Sequence, residues 1–336
     1  MNMNLKNLLF KLCSIEKVSG FENNFAKFLK NTLAEFSQKI EITPNNSVIA
    51  KIVTKNSADL PEIILTAHLD AIGFIVCEIC DNGLLMLKPC GGINLKLASF
   101  QRVALFGKKK LIGFTFLKKT ANGAETLFVD VGLSKPEVES LIDLGTVANF
   151  EFEPIDFGNG EICAKNLDDC AGIATILAVL GKLQHKSTNL NLTVIFSSQE
   201  ETTGTGITTS AYGQNAKFAI CVDVSFAKFH NCQNKSLGEM GKGPMIGIAP
   251  TLDLNLTETL KKLAKTKNIP FQLEVMNGMT STDADNLSKI KTGIRTCLCS
   301  IPLKFMHSPI EIIDFIDIEY SANLIKFLIE SIYDKK

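Results

Sequence analysis

Apolar residues recur at helical spacing over 5–17 and again over 22–38, with Ser19-Gly20 as the break, and predict two opening helices. Dense β-branched runs at 47–53 and 62–67 predict strands. The pattern changes from Ala71 to about Phe152. Short apolar runs at 72–79, 84–87, 101–106, 111–117, 127–131 and 146–152 alternate with breakers such as Asp81-Asn82-Gly83, Gly91-Gly92 and Asn122-Gly123. Only 136–143 reads as helix. Several short strands at close spacing predict a small β-barrel or sandwich, with a binding or assembly role and no catalytic cluster of its own. Strand and helix then alternate: a helix at 173–183, strands at 193–201 and 218–224, helices at 208–212 and 254–264, strands at 270–275 and 295–301, and a last helix at 318–333. The stretch 225–250 reads as irregular. The predicted fold is α/β, a mixed sheet flanked by helices, built from residues 1–70 and 153–336. Residues 71–152 form an inserted β-rich barrel domain.

The chemistry gathers at strand ends. The run Thr193 to Glu201 ends in two adjacent carboxylates, Glu200 and Glu201. Parallel strands deliver their C-terminal residues to a ligand crevice. Neighbouring residues leaving a strand point to opposite sides, so one Glu can hold a metal while the other acts as a base. An isolated Glu-Glu is ordinarily a solvated acidic turn; here other strand ends carry matching groups. His68-Leu69-Asp70 ends one predicted strand, and Asp70 can orient the far ring nitrogen of His68. Asp168 ends an extended segment, and Asp169 sits where a capping carboxylate is favoured. Asp223 closes an apolar strand, where an unpaired acid would be costly. His307 follows another strand. His68, Asp168, Glu201, Asp223 and His307 make five ligands, two imidazoles and three carboxylates without cysteine. That set suits Zn²⁺, Co²⁺ or Mn²⁺. One catalytic ion takes about three protein ligands, whereas five suit two ions if one carboxylate bridges, and Asp168 is the candidate bridge. Glu200 is the candidate general base, acting on a water clamped between the ions.

Composition narrows the partners. Lys plus Arg balance Asp plus Glu at 35 each, which argues against nucleic acid. No apolar run reaches membrane-spanning length, and the N-terminus lacks a signal-peptide pattern, so a cytoplasmic protein is expected. Its ten cysteines then read as free thiols. Cys77 and Cys80 have CxxC spacing, but on a strand they face opposite sides unless a bulge intervenes. Cys297 and Cys299 read as small apolar fillers, and His185 and His230 as surface residues.

Six motifs in order, HLDAIGF, NLDDCAG, QEETTGTG, CVDVS, TSTDAD and MHSPIEIID, resemble those of the tetrahedral aminopeptidases. These are cytoplasmic dimetal metallopeptidases, often labelled glutamyl or leucyl aminopeptidase and sometimes endoglucanase. The resemblance covers nearly the whole chain. It implies one metal on His68, Asp168 and Asp223 and a second on Asp168, Glu201 and His307. It also implies Glu200 as the catalytic base with Asp70 in support, short peptides as substrates, a dimerisation role for the inserted domain, and hollow homododecamers. The chain departs from the pattern at Ala71, where Glu is usual, and at Thr202, Thr203 and Thr205, which bears on substrate preference. Related carboxypeptidases and deacylases share the ligand logic, but their extra domain falls later, between the fourth ligand and the last His. A glycosidase would need two carboxylates across a sugar cleft, and the chain has no Trp and three Tyr for platforms. A non-catalytic assembly protein would be expected to have lost ligands, and none is lost.

Overall fold

The computed structural model describes residues 4–54, 57, 59–119, 123, 125–184, 189–229, 234 and 236–333. Asn122, His185 and His230 lie outside them. Helices α1 (Leu5–Ser14) and α2 (Asn23–Leu33) lead into β1 (Lys39–Ile42), β2 (Val48–Val53) and β3 (Ile63–His68). Next come β4 (Gly73–Ile79), β5 (Leu85–Cys90), β6 (Arg102–Phe106), β7 (Lys110–Lys119), β8 (Glu125–Asp130), α3 (Lys135–Leu141) and β9 (Val147–Phe150). The chain continues with β10 (Ile155–Asp156), β11 (Glu161–Ala164), α4 (Leu167–Gln184), β12 (Asn191–Ser197), α5 (Thr205–Tyr212) and β13 (Phe218–Phe226). It closes with β14 (Met245–Ile248), α6 (Leu254–Thr266), β15 (Gln272–Val275), α7 (Asp283–Leu287), β16 (Arg295–Lys304), β17 (Glu311–Asp314) and α8 (Phe315–Tyr333).

The large sheet is mixed and runs β1-β2-β12-β3-β13-β16-β17-β11-β10, with β14 and β15 branching from β16. Its centre, β12, β3, β13 and β16, is parallel. A parallel centre must be covered on both faces, and β3 shows it in its alternation. Ile63, Leu65 and Ala67 enter the larger core with α1, α2, α4, α6 and α8, whereas Ile64 enters a second core with Ile207 and Ala211 of α5 and Leu287 of α7. In α2 the buried residues Phe25, Ala26, Leu29 and Leu33 form one helical stripe. Helix α1 is capped by Asn4, whose side chain accepts from Asn7 N–H.

Strands β4 to β9 close into a six-stranded barrel in the order β4-β5-β8-β7-β6-β9. Closure removes exposed edges. Every second residue points inward: Phe74 and Val76, Leu85 and Leu87, Val103 and Leu105, Leu127 and Val129 are buried together. Phe74 meets Phe150 edge-on at 5.3 Å between centroids. Helix α3 opens with a capping box between Ser134 and Glu137. The register of β4 shifts between Val76 and Glu78, and Cys77 at that bulge donates its thiol to the carbonyl of Met86. Cys297 and Cys299 are buried in the large core, as the pattern suggests.

Three differences from the pattern have local causes. Strand β12 ends at Ser197, three residues before Glu200, because Gln199 takes a positive φ of 57° and turns the chain. Strand β14 lies within the stretch expected to be irregular; at four residues it is too short to register as a period. Strand β17 also escapes the pattern, being four residues long and running directly into α8. Among the described residues no helix is long and apolar enough to cross a membrane.

Candidate metal centre

His68 is the last residue of β3 and is buried. Its Nδ1 lies 3.1 Å from the main-chain carbonyl of Asp70 and 3.6 Å from the Asp70 carboxylate. The carboxylate itself is engaged elsewhere, accepting the N–H groups of Glu200 at 2.9 Å and Glu201 at 3.1 Å. Asp70 thus holds the Glu-Glu turn against the end of β3. Asp168 lies at the start of α4, where it and Asp169 have non-helical dihedrals and share a cis peptide bond. Asp169 accepts from Gly172 N–H at 2.9 Å, as a capping carboxylate does. Asp223 lies on β13, whose strand continues three residues past it, and is buried. His307 follows β16 in a turn with φ of 60°.

These side chains converge. His68 Nε2 is 2.9 Å from Asp168 Oδ1 and 3.9 Å from Asp223 Oδ1. His307 Nε2 is 3.3 Å from Asp168 Oδ2 and 3.2 Å from Glu201 Oε2. Two triads, His68–Asp168–Asp223 and Asp168–Glu201–His307, each present ligand atoms within 4.8 Å of one another, and Asp168 belongs to both. The Nδ1 atoms face main-chain carbonyls, Asp70 for His68 and Gly92 at 2.9 Å for His307. That arrangement occupies Nδ1 and leaves Nε2 of each ring facing the carboxylates, where in the neutral ring it can offer its lone pair to a cation between them.

The electrostatics are those of a site short of positive charge. Burial raises the carboxyl of Asp223 well above its ordinary range, with the Asp169 charge adding to it. Burial, then the charge of Asp168, raises Glu201 as well. Glu200 is pushed up to about 10 by burial, against the pull of His68 and with Asp223, Asp283 and Glu201 adding repulsion. Burial opposes the imidazolium of His307, but Asp168 and Glu201 outweigh it and lift the ring to about 11. Glu201 Oε1 is buried without a hydrogen-bond partner. An orphaned carboxylate oxygen, mutually repelling acids and two imidazole nitrogens aimed at them fit divalent cations. The site opens into a cavity of about 570 Å³.

The M42 glutamyl aminopeptidase family profile matches residues 46–324. The chain belongs to that family. It is accordingly a hydrolase of the metallopeptidase class, and aminopeptidase is the family's activity. Across 97% of this chain and 96% of the relative, the M42 chain is 27% identical to the lysyl aminopeptidase of Pyrococcus furiosus. The aminopeptidase APDkam598 of Desulfurococcus kamchatkensis superposes with a TM-score of 0.89 at 29% identity, covering 98% of this chain and 97% of that one. The TET1 peptidase of Pyrococcus horikoshii superposes at 0.82 with 23% identity, covering 97% and 99%, and shares the fold.

Three further residues of this M42 chain lie at or beside the centre, and the sequence pattern assigns none of them a role there. Glu311, buried, accepts the N–H of Asp168 at 3.1 Å and of His307 at 2.9 Å. It ties together two main-chain positions 139 residues apart; although it falls within the MHSPIEIID motif, in the run Ile-Glu-Ile-Ile it reads as the polar face of a strand. Gly92 reaches His307 from the loop after β5, so the barrel contributes to the site by a main-chain carbonyl, which side-chain patterns do not reveal. Asp283 of the TSTDAD motif is buried and accepts from Ser197 Oγ behind the site. Its place in a motif was the available signal.

Proposed function

We propose that this chain is a two-metal aminopeptidase that removes N-terminal residues from short peptides. The observation that carries the reading is the convergence of His68, Asp168, Glu201, Asp223 and His307 on one cavity, with Asp168 common to both triads. His68, Asp168 and Asp223 would hold one cation, and Asp168, Glu201 and His307 the other. Zn²⁺ or Co²⁺ suits the nitrogen and oxygen donors, and Mn²⁺ is a third candidate. When bound, the pair supplies Lewis acidity toward the scissile carbonyl and lowers the pKa of a water. Glu200 lines the same cavity. Metal-free, the Glu200 carboxyl holds its proton; beside the charge of bound cations it would ionise, and its carboxylate would then take the proton from the attacking water and return it to the departing amine. Asp70 fixes Glu200 and Glu201 through their N–H groups, and Gly92 and the Asp70 carbonyl fix the two rings.

The reading extends to assembly and compartment. Residues 71–152 serve as a dimerisation module within residues 1–70 and 153–336. Leu97, Phe100 and Phe114, on or beside the barrel strands, are all more than half exposed, which suits a face that another subunit covers. The P. horikoshii relative assembles into a tetrahedron or an octahedral shell; a dodecamer is the expectation here. Nine described cysteines are free thiols, which suits the cytoplasm.

The test is a panel of aminoacyl-anilides and short peptides, with and without chelator and with Co²⁺ or Zn²⁺ restored. Chelation should abolish turnover and metal should restore it. Glu200→Gln should abolish turnover with metal content unchanged. Activity indifferent to chelation, or confined to cellulose, would overturn the reading.

A further inference from the structure

We propose that Glu274 selects substrates with a basic N-terminal side chain, lysine or arginine. The inference rests on the aminopeptidase reading and names the substrate class of the same cavity. Glu274 lies on β15 and lines the cavity that holds the metal-centre residues. Both its oxygens are held: Ser225 Oγ donates to one, and Ser300 Oγ to the other at 2.8 Å. The hydroxyls fix its position but bring no charge, and among the described residues no lysine or arginine pairs with it or lines the cavity.

The strand register sets its reach from the centre. Ser225 is two residues beyond Asp223 on β13, so both face the same side. Ser300 pairs with Asp223 across β13 and β16. The serines that hold Glu274 thus sit about 7 Å along one strand and about 5 Å across to the next from a candidate metal ligand. A substrate whose α-amine rests at the metal centre can span that interval with a four-carbon stem. Leu298, Met276, Met279 and Phe226 line the same cavity, and apolar walls suit the methylenes of lysine or arginine while the charged tip reaches the carboxylate. Leucine would leave Glu274 desolvated without a cation. Glutamate would meet it as a like charge.

The experiment compares the metal-loaded wild type with Glu274→Gln and Glu274→Asp on lysyl, arginyl, leucyl and glutamyl p-nitroanilides, and titrates free lysine into each by calorimetry. The wild type should prefer lysyl and arginyl substrates. In Glu274→Gln, kcat/KM for lysyl substrate should fall about 10- to 100-fold, mainly through KM, with leucyl substrate nearly unchanged. Glu274→Asp, which keeps the charge, should keep the basic preference. Lysine should bind Glu274→Gln more weakly by a similar factor. A wild type that favours leucyl or glutamyl anilide, or an unaltered lysyl-to-leucyl ratio in Glu274→Gln, overturns the proposal and leaves the aminopeptidase reading standing. Failure to cleave any anilide overturns that reading instead, and the lysine titration then decides for Glu274, an unchanged affinity refuting its role.

Discussion

Asp70→Asn should damage the site without removing a ligand. Asp70 is fully buried, and its two oxygens accept one N–H each, from Glu200 at 2.9 Å and Glu201 at 3.1 Å. Asparagine is nearly isosteric but offers one oxygen and one NH₂. Whichever way the amide turns, a donor faces a donor, and one N–H of the Glu-Glu turn loses its acceptor. Leaving such a group unpaired costs about 1–3 kcal/mol. The turn that moves carries a proposed metal ligand and the proposed base, and loss of such an outer support lowers affinity or activity about 10- to 100-fold. His68 should keep its orientation, because its Nδ1 faces the Asp70 main-chain carbonyl, which the substitution spares. Urea denaturation of the chelated protein measures the first effect. Calorimetric metal titration and kcat/KM measure the second. The expected result is a lower midpoint with a weaker second metal and slower turnover. A midpoint equal to wild type, with metal affinity and turnover within about threefold, would refute the support that the two hydrogen bonds are argued to give.

A Cβ on Gly92 would stand 3.0 Å from His307 Nδ1 and 3.3 Å from Cε1, so the ring must yield a few tenths of an ångström. Gly92→Ala should therefore lower kcat/KM and affinity for one metal by about tenfold with little change in stability; native metal affinity in the variant would count against the barrel's part in the site. Gly181 in α4 has nothing within 4 Å of an added Cβ. Gly181→Ala should raise stability by about 0.5–1 kcal/mol through helix propensity, read from the urea midpoint. Glu22 is fully buried, and burial, then the charge of Asp70, raises its carboxyl from 4.5 to about 7. The folded chain holds that proton where the unfolded chain has released it. Stability from this group is full below pH 4.5 and is lost as pH rises through 7. Urea denaturation at pH 5 and pH 8 should show a smaller loss in Glu22→Gln than in wild type, by on the order of 2–3 kcal/mol; equal losses would place the proton elsewhere.

The site is legible in the sequence where residues break a local rule, and the fold where they keep one. Acids at the ends of apolar runs, such as Asp223 and the pair Glu200 and Glu201, are costly without a purpose, and the structure brings them into one cavity with His68 and His307. The barrel was legible because its short alternating runs recur between strong turn signals. Glu311 obeyed the local pattern of a half-exposed strand, so its burial against Asp168 and His307 could come only from tertiary packing. Lys17 is a similar case. It is fully buried, donating to Leu12 O at 2.7 Å with its ammonium 4.5 Å from the Phe25 ring centre, whereas lysines are almost always exposed. The end of β12 is hidden in the sequence because the left-handed position is Gln199, with no glycine to announce it.

The insertion point explains how a barrel can interrupt the chain between His68 and Asp168 without displacing either. The chain leaves the large sheet at Ala71, whose N–H and C=O both pair with the segment Lys17–Ser19. Strand β4 starts at once, with Gly73 packed so closely that a Cβ there would meet Val18 at 2.6 Å and the Ala148 carbonyl at 2.8 Å. Ala148 belongs to β9, the last barrel strand, so exit and return lie side by side. Lys165 then fastens the return, its ammonium 2.6 Å from the Phe150 carbonyl. Because the barrel's two ends are neighbours, its insertion asks little of the sheet beyond one glycine at 73. Ala71 itself is 1% exposed and lies against the N-terminal segment. Cys90 pairs with Gly73, so the same junction places the Gly91-Gly92 loop beside His307. A barrel free to swing would lose that carbonyl, and the ring would lose the contact that fixes which nitrogen faces Asp168 and Glu201.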